Sequence, residues 1–150
     1  MVADEIWGSI TGAQVELLCG VPYSGLPIAV TISVTKQVPL LLVRKEIKEH
    51  GTKKEIEGFY HPHQECVLIE DLVTTGGSVL NVAEMLRKNG LQANHVAVLV
   101  DREQGAREQL QEHGITLHAV ITAKEMFAVL KQEGRLTAEE FAKVDAFFNA

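Results

Sequence analysis

At 150 residues, 46% of them hydrophobic, and with a formal net charge of −6, the chain reads as one globular domain able to bury a core without disulfides or structural metal. That composition excludes a disordered chain, and an acidic balance with no basic cluster outside one loop points away from nucleic acid as a partner. No apolar run approaches the ~20 residues of a membrane helix, and the opening MVADEIWGSI lacks the basic start and apolar core of a secretion signal, so no membrane partner and a cytoplasmic location are expected.

In chain order, Trp7 of the opening segment is expected to pack a helix rather than mark a site. VELLCG (15–20) reads as the first strand, residues 25–36 as a helix, and PLLLV (39–43) as the second strand. The stretch RKEIKEHGTKKEIEGFYHPHQE (44–65) is too polar for a crossover helix in the core. A long mobile loop closing a hairpin fits it better, with residues 55–59 returning as an antiparallel strand. His61 and His63 lie in that stretch without Cys, Asp or Glu at metal-ligand spacing and read as solvated. CVLIE (66–70) is the next strand. The helix predicted over 78–89 sets Val79, Val82, Ala83 and Leu86 on one face, with Ser78 at its start and Gly90 after its end. HVAVLV (95–100), a helix over 105–113, a weaker strand ITLHAVI (115–121) and helices over 122–132 and 137–148 complete the chain. The last helix opens on Thr137 and Glu140 at capping-box spacing. Cys19 and Cys66 border apolar runs and read as small core residues, while His113 and His118 read as surface or satisfied side chains. Apolar runs that are continuous rather than alternating suggest strands buried on both faces. Strands and helices that alternate then give an open, mostly parallel α/β sheet with helices on both sides.

The sharpest chemical signal is VLIEDLVTTGGSV (67–79). An apolar strand ends in the acids Glu70 and Asp71, and the turn Thr74, Thr75, Gly76, Gly77, Ser78 enters a helix. Small residues let backbone N–H groups converge on an anion, the helix N-terminus adds positive potential, and the hydroxyls add donors. Two carboxylates facing a phosphate would repel it, so they make sense accepting hydrogen bonds from a sugar diol beside that phosphate. The segment therefore asks for a ribose 5-phosphate; the plainer alternative is an ordinary strand–turn–helix corner. The charged run RKEIKEHG (44–51) supplies mobile cations that suit a leaving group gaining negative charge, or else is a solvated surface run. GVPYSGLP (20–27) is a small-residue turn after the first strand, and DREQG (101–105) places Arg102, whose fork fits a planar carboxylate, at the end of another.

These segments carry a resemblance. Residues 67–79 look like the phosphoribosyl pyrophosphate motif of type I phosphoribosyltransferases, with Glu70 where many members carry Asp. Residues 44–51 resemble the flexible catalytic loop of orotate phosphoribosyltransferases, with Arg44, Lys45, Lys48 and His50 at its cationic positions. Residues 20–27 are similar to the turn whose backbone contacts pyrophosphate. Gly20, Tyr23, Ser24 and Gly25 match in kind, and Ser24 stands where several bacterial members carry lysine. Arg102 resembles the arginine that holds the base or its carboxylate. The resemblance runs from about residue 16 to the C-terminus and extends to the phosphoribosyltransferase domain of bifunctional uridine monophosphate synthases.

What the resemblance implies is a three-layer α/β/α, Rossmann-like type I phosphoribosyltransferase sheet, six-stranded and mostly parallel, with one antiparallel strand. It implies transfer of phosphoribosyl from phosphoribosyl pyrophosphate to orotate, dependent on Mg²⁺ carried mainly by the substrate. Lys48, His50 and Asp71 would be catalytic. Tyr23, Ser24, Arg44, Lys45, Glu70, Thr74, Thr75, Gly76, Gly77, Ser78 and Arg102 would bind substrate. A homodimer is implied, as is a fused or associated orotidine monophosphate decarboxylase. Against the family pattern, residues 1–150 form a core that lacks most of an N-terminal hood. The alternative is a non-catalytic regulatory or truncated core that binds phosphoribosyl pyrophosphate through the same fold.

Overall fold

The computed structural model describes residues 1–44 and 55–148. Its elements are α1 (Val2–Ser9), β1 (Leu17–Gly20), α2 (Gly25–Lys36), β2 (Leu40–Val43), β3 (Ile56–Glu57), β4 (Cys66–Val73), α3 (Gly77–Lys88), β5 (His95–Asp101), α4 (Ala106–Glu112), β6 (Thr116–Thr122), α5 (Ala123–Gln132) and α6 (Ala138–Phe148). The strands form one six-stranded sheet in the order β3-β2-β1-β4-β5-β6. Every pairing is parallel except β2 with β3, where Leu42 faces Glu57 and Val43 faces Ile56.

Alternation along the central strands explains their unbroken apolar sequences. Leu17, Cys19, Cys66, Leu68, Val96 and Val98 point to one face, where Val79, Val82, Ala83 and Leu86 of α3 and Leu110 of α4 cover them. Leu18, Val67, Ile69 and Ala97 point to the other, under Ala3 and Ile6 of α1 and Ala29 and Ile32 of α2. Side chains two apart share a face, so a strand covered on both sides must be apolar at every position. Trp7 packs against this second cluster, as expected of it. Cys19 and Cys66 are buried free thiols, and burial pushes Cys19 up to about 12 and Cys66 well above the ordinary thiol range.

Several boundaries differ from the sequence reading. α1 occupies a segment to which no element was assigned; its apolar face, with Ala3, Ile6 and Ile10 at helical spacing, spans too few turns to stand out. β4 runs on to Val73, because its ladder with β5 continues through Glu70↔Val98, Leu72↔Val100 and Val73↔Asp101. The two acids therefore lie within the strand. Ser78 does not cap α3: Gly76 holds the N-cap at φ 90, a left-handed conformation that glycine tolerates, and the helix starts at Gly77. The Thr137–Glu140 box forms as read, and a second one, Thr122–Glu125, opens α5. His118 is buried and satisfied: its ring lies 5.2 Å from that of His95, with Nδ1 of His95 3.0 Å from its Nε2. Burial, helped by His95, lowers the pKa of His118 below the ordinary histidine value.

Connections place β1 beside β4, with the chain leaving them toward opposite edges of the sheet. Ligands of open α/β sheets bind at the carboxyl ends of strands at such a reversal. The turn after β1 is pressed onto β4 there. A Cβ built on Gly25 would sit 2.1 Å from the Ile69 carbonyl oxygen, and one on Gly20 would sit 2.8 Å from Leu26 Cα. Gly25→Ala is therefore expected to cost about 3 kcal/mol or more. Calorimetry should record that as a fall in Tm of roughly 6–12 °C. Gly8→Ala is the control: a Cβ there meets nothing within 4 Å, and its Tm should hold or rise.

Candidate active site

Three adjoining cavities open at this end of the sheet. The central one, of about 390 Å³, is lined by Pro22, Ser24 and the run from Glu70 to Val79. It is walled by the end of β4, the turn into α3 and the turn after β1. Val21 N–H donates to the Ile69 carbonyl at 2.9 Å, which holds the two walls together. The Pro22–Tyr23 peptide is cis. Glu70 is only 6% exposed, and its Oε1 accepts from the Ser24 hydroxyl at 2.8 Å and from the Asp71 N–H at 3.0 Å. Asp71 is half-buried, and its Oδ1 accepts from the Leu72 N–H at 2.7 Å. Thr74, Thr75, Gly76, Gly77 and Ser78 form the opposite rim, where α3 begins without a side-chain cap. A twelve-residue helix starting there directs the positive end of its dipole at the cavity.

On one side, Pro22 and Ser78 also line a second cavity of about 220 Å³, which contains Arg44, Asn81 and Met85. Arg44 is ion-paired with Glu57 across the β2–β3 hairpin. On the other side, Leu72 also lines a third cavity of about 660 Å³, walled by Val100, Ala123, Met126, Phe127 and Val144, with Arg102 and Lys143 as its two cations. There α6 folds back against α5, with Lys131 Nζ 3.8 Å from the centre of the Phe141 ring.

The structure thus gathers Ser24, Glu70, Asp71, Thr74, Thr75, Gly76, Gly77 and Ser78 around one cavity. Arg44 and Arg102 fall in the flanking cavities. Tyr23 stands outside these three cavities, 69% exposed. Lys45, Lys48 and His50 lie outside the described residues. Sequence reasoning missed Pro22, Leu72 and Lys143. Leu72 was discoverable, since it follows the two acids and alternates outward on β4, whereas nothing in the sequence near Lys143 ties it to Arg102.

The phosphoribosyl transferase domain family matches residues 3–117. The orotate phosphoribosyltransferase of Methanocaldococcus jannaschii is 43% identical over 123 residues, covering 79% of this chain and 70% of that protein. The chain belongs to the orotate phosphoribosyltransferase family. The uridine 5'-monophosphate synthase of Bos taurus is 42% identical over 148 residues, which is 97% of this chain but 31% of that protein. Among solved structures, Leishmania donovani UMP synthase superposes with a TM-score of 0.89 at 34% identity, covering 99% of this chain and 32% of that one. Orotate phosphoribosyltransferase from Aeropyrum pernix superposes at 0.70 with 31% identity, covering 89% of this chain and 74% of that one. The chain thus spans under a third of the uridine monophosphate synthases it matches.

The paired acids come at an electrostatic cost in this chain. Burial is the largest influence on Glu70 and pushes its carboxyl up to about 7; the Asp71 charge acts in the same direction, while the hydrogen bonds from Asp71 N–H and Ser24 oppose it. A carboxyl raised in the folded state contributes its full stability below the unfolded value near 4.5 and loses it as pH climbs through about 7. Glu70→Gln should therefore raise the Tm of the ligand-free protein at pH 8 by about 3 °C. At pH 5 the variant and the parent should melt together, and calorimetry at the two pH values checks the sign.

Proposed function

We propose that the chain is the catalytic core of an orotate phosphoribosyltransferase, joining orotate to phosphoribosyl pyrophosphate to give orotidine 5'-monophosphate and pyrophosphate. The observation that carries this reading is the linear order of the cavities. A cradle with two acids and a helix N-terminus lies between a cavity holding Arg44 and an apolar cavity holding Arg102. The ribose 5-phosphate fits the first, pyrophosphate extends toward the second, and a flat anionic base fits the third. Relatives named for orotate phosphoribosyltransferase and uridine monophosphate synthase support the same substrates.

In this reading the anomeric carbon–oxygen bond to pyrophosphate lengthens first, leaving a ribosyl centre with oxocarbenium character. A ring nitrogen of orotate then bonds to that carbon as pyrophosphate departs. Glu70 and Asp71 hold the ribose hydroxyls and stabilise the positive charge, while Arg44, Lys45, Lys48 and His50 stabilise the leaving group. As the nitrogen–carbon bond forms, the ring N–H bond breaks and its proton passes to the departing pyrophosphate, a basic polyanion, so no strong general base on the protein is needed.

Mg²⁺ belongs to the same proposal. In it the ion is carried mainly by the substrate, whose hard oxygens suit it as ligands. Pyrophosphate and ribose oxygens would carry it, with the ribose hydroxyls resting on Glu70 and Asp71. When bound, it neutralises charge on the pyrophosphate. A twofold dimer, an associated orotidine monophosphate decarboxylase and the cytosol complete the proposal. The uridine monophosphate synthase relatives support the decarboxylase. Two buried free thiols suit the cytosol.

Orotate-dependent release of pyrophosphate is the direct assay; binding of phosphoribosyl pyrophosphate without release would favour a regulator of the same fold. Calorimetry should show binding that fails in EDTA and returns with Mg²⁺. Asp71→Asn should weaken that binding about tenfold or more, and unchanged affinity would overturn the role given to Asp71. Lys48→Ala should lower kcat about 10²-fold with the dissociation constant for phosphoribosyl pyrophosphate within about twofold, measured by steady-state kinetics and calorimetry on the same preparation.

A further inference from the structure

Ser24 holds the N-cap position before helix α2, yet its side chain does not cap the helix. A serine at an N-cap ordinarily accepts from the second or third amide of the helix. Here the second is Leu26, whose N–H donates to the Tyr23 carbonyl at 3.2 Å, and the third is Pro27, which has no N–H. Local sequence thus denies the hydroxyl its usual partners. It donates instead to Glu70 Oε1 at 2.8 Å, a residue 46 positions away on β4.

Two backbone approaches accompany this bond. Val21 N–H reaches the Ile69 carbonyl at 2.9 Å, and Gly25 lies so close to the same carbonyl that a Cβ would fall 2.1 Å from it. The turn of residues 20–25 is therefore seated on the acid-bearing end of β4 by its own backbone contacts. Oε1 of Glu70 takes both the Ser24 hydroxyl and the Asp71 N–H, so the plane of a buried carboxylate is fixed by two donors from different elements.

We propose that Ser24 is a positioning residue that acts through Glu70, orienting this carboxylate for the ribose hydroxyls, and that its hydroxyl is not a phosphate ligand. The proposal rests on the reading of the central cavity as a ribose-phosphate site. Phosphate and serine would have to compete for one hydroxyl proton already committed to a carboxylate. Without this donor the buried carboxylate would keep, among the described hydrogen bonds, the Asp71 N–H alone and would turn more freely about its last torsion.

Two half-ligands separate the roles. Ribose 5-phosphate and inorganic pyrophosphate, each with Mg²⁺, are titrated by calorimetry into the whole protein as parent, Ser24→Ala, Ser24→Thr, Glu70→Gln and the double variant Ser24→Ala/Glu70→Gln. Ser24→Ala is expected to weaken ribose 5-phosphate about tenfold and pyrophosphate less than twofold. Ser24→Thr keeps the hydroxyl and should restore ribose 5-phosphate affinity, which separates this role from a general loss of fold. The double variant should bind no worse than Glu70→Gln alone, because the serine acts only through the acid. The proposal is overturned if Ser24→Ala weakens pyrophosphate as much as ribose 5-phosphate, if the two substitutions add, or if Ser24→Ala leaves ribose 5-phosphate unchanged. A parent protein that binds neither half-ligand overturns the cavity reading, and this proposal with it. Parental binding with any of the preceding results overturns this proposal alone.

Discussion

The approach of the β1–α2 turn to the Ile69 carbonyl is the contact on which the site depends. It needs a glycine at 25, since any Cβ would occupy the space of that oxygen. The contact exists because β1 and β4 are neighbours, with Gly20 opposite Ile69 in a parallel register. That register rests on side chains packed on both faces: Leu17 and Cys19 under α3, Leu18 under α2. A slip of one residue would exchange these faces and carry Glu70 away from Ser24. The apolar alternation of two strands thus fixes, through one backbone contact, where the only hydroxyl donor to Glu70 among the described hydrogen bonds can stand.

Once the walls are set, the electrostatics follow. The cradle pairs the positive end of α3 with two carboxylates a few residues away, an arrangement that would be self-defeating for a bare anion. It becomes consistent for a sugar phosphate, whose hydroxyls and phosphate want opposite partners. The strain shows at Glu70, whose carboxyl burial holds above the ordinary carboxylate range. Burial disfavours its charge, and Ser24 and the Asp71 amide restore part of what solvent would have given. Stability is yielded at the position where a ligand would recover it.

Much of this was legible in the residues. The parallel sheet could be read from unbroken Val, Ile and Leu runs, and the antiparallel return of Ile56–Glu57 from the polarity of the stretch before it. Glu70, Asp71 and the Thr–Gly turn announced themselves because paired acids at a strand end need a partner. What escaped were properties that exist only across the chain. Ser24 looked like part of a phosphate turn, and its bond to Glu70 spans 46 positions. α1 hid because a helix of two turns has too few periods to rise above background, although Ile6 is fully buried against the sheet. Ser78 was misread as a cap because serine favours that position. A glycine at φ 90 two residues earlier, beside Leu110, had already turned the chain.

The third cavity shows how the same sheet can serve two chemistries side by side. Leu72 is the residue shared between the polar cradle and the apolar hollow, and it follows directly after Asp71. On a strand, successive side chains turn to opposite faces, so an acid and a leucine in sequence can address different compartments without a change of backbone. Arg102 reaches the hollow by the parallel logic: β5 ends beside β4, and the Arg102 N–H donates to the Val73 carbonyl at 2.9 Å. The arginine is thereby anchored by its backbone while its side chain stays available to a carboxylate. Arg102 is itself exposed beside this apolar wall, so its charge stays solvated rather than buried. Under the proposed reaction, a flat anionic base would lay its ring on the apolar wall and turn its carboxylate to the guanidinium.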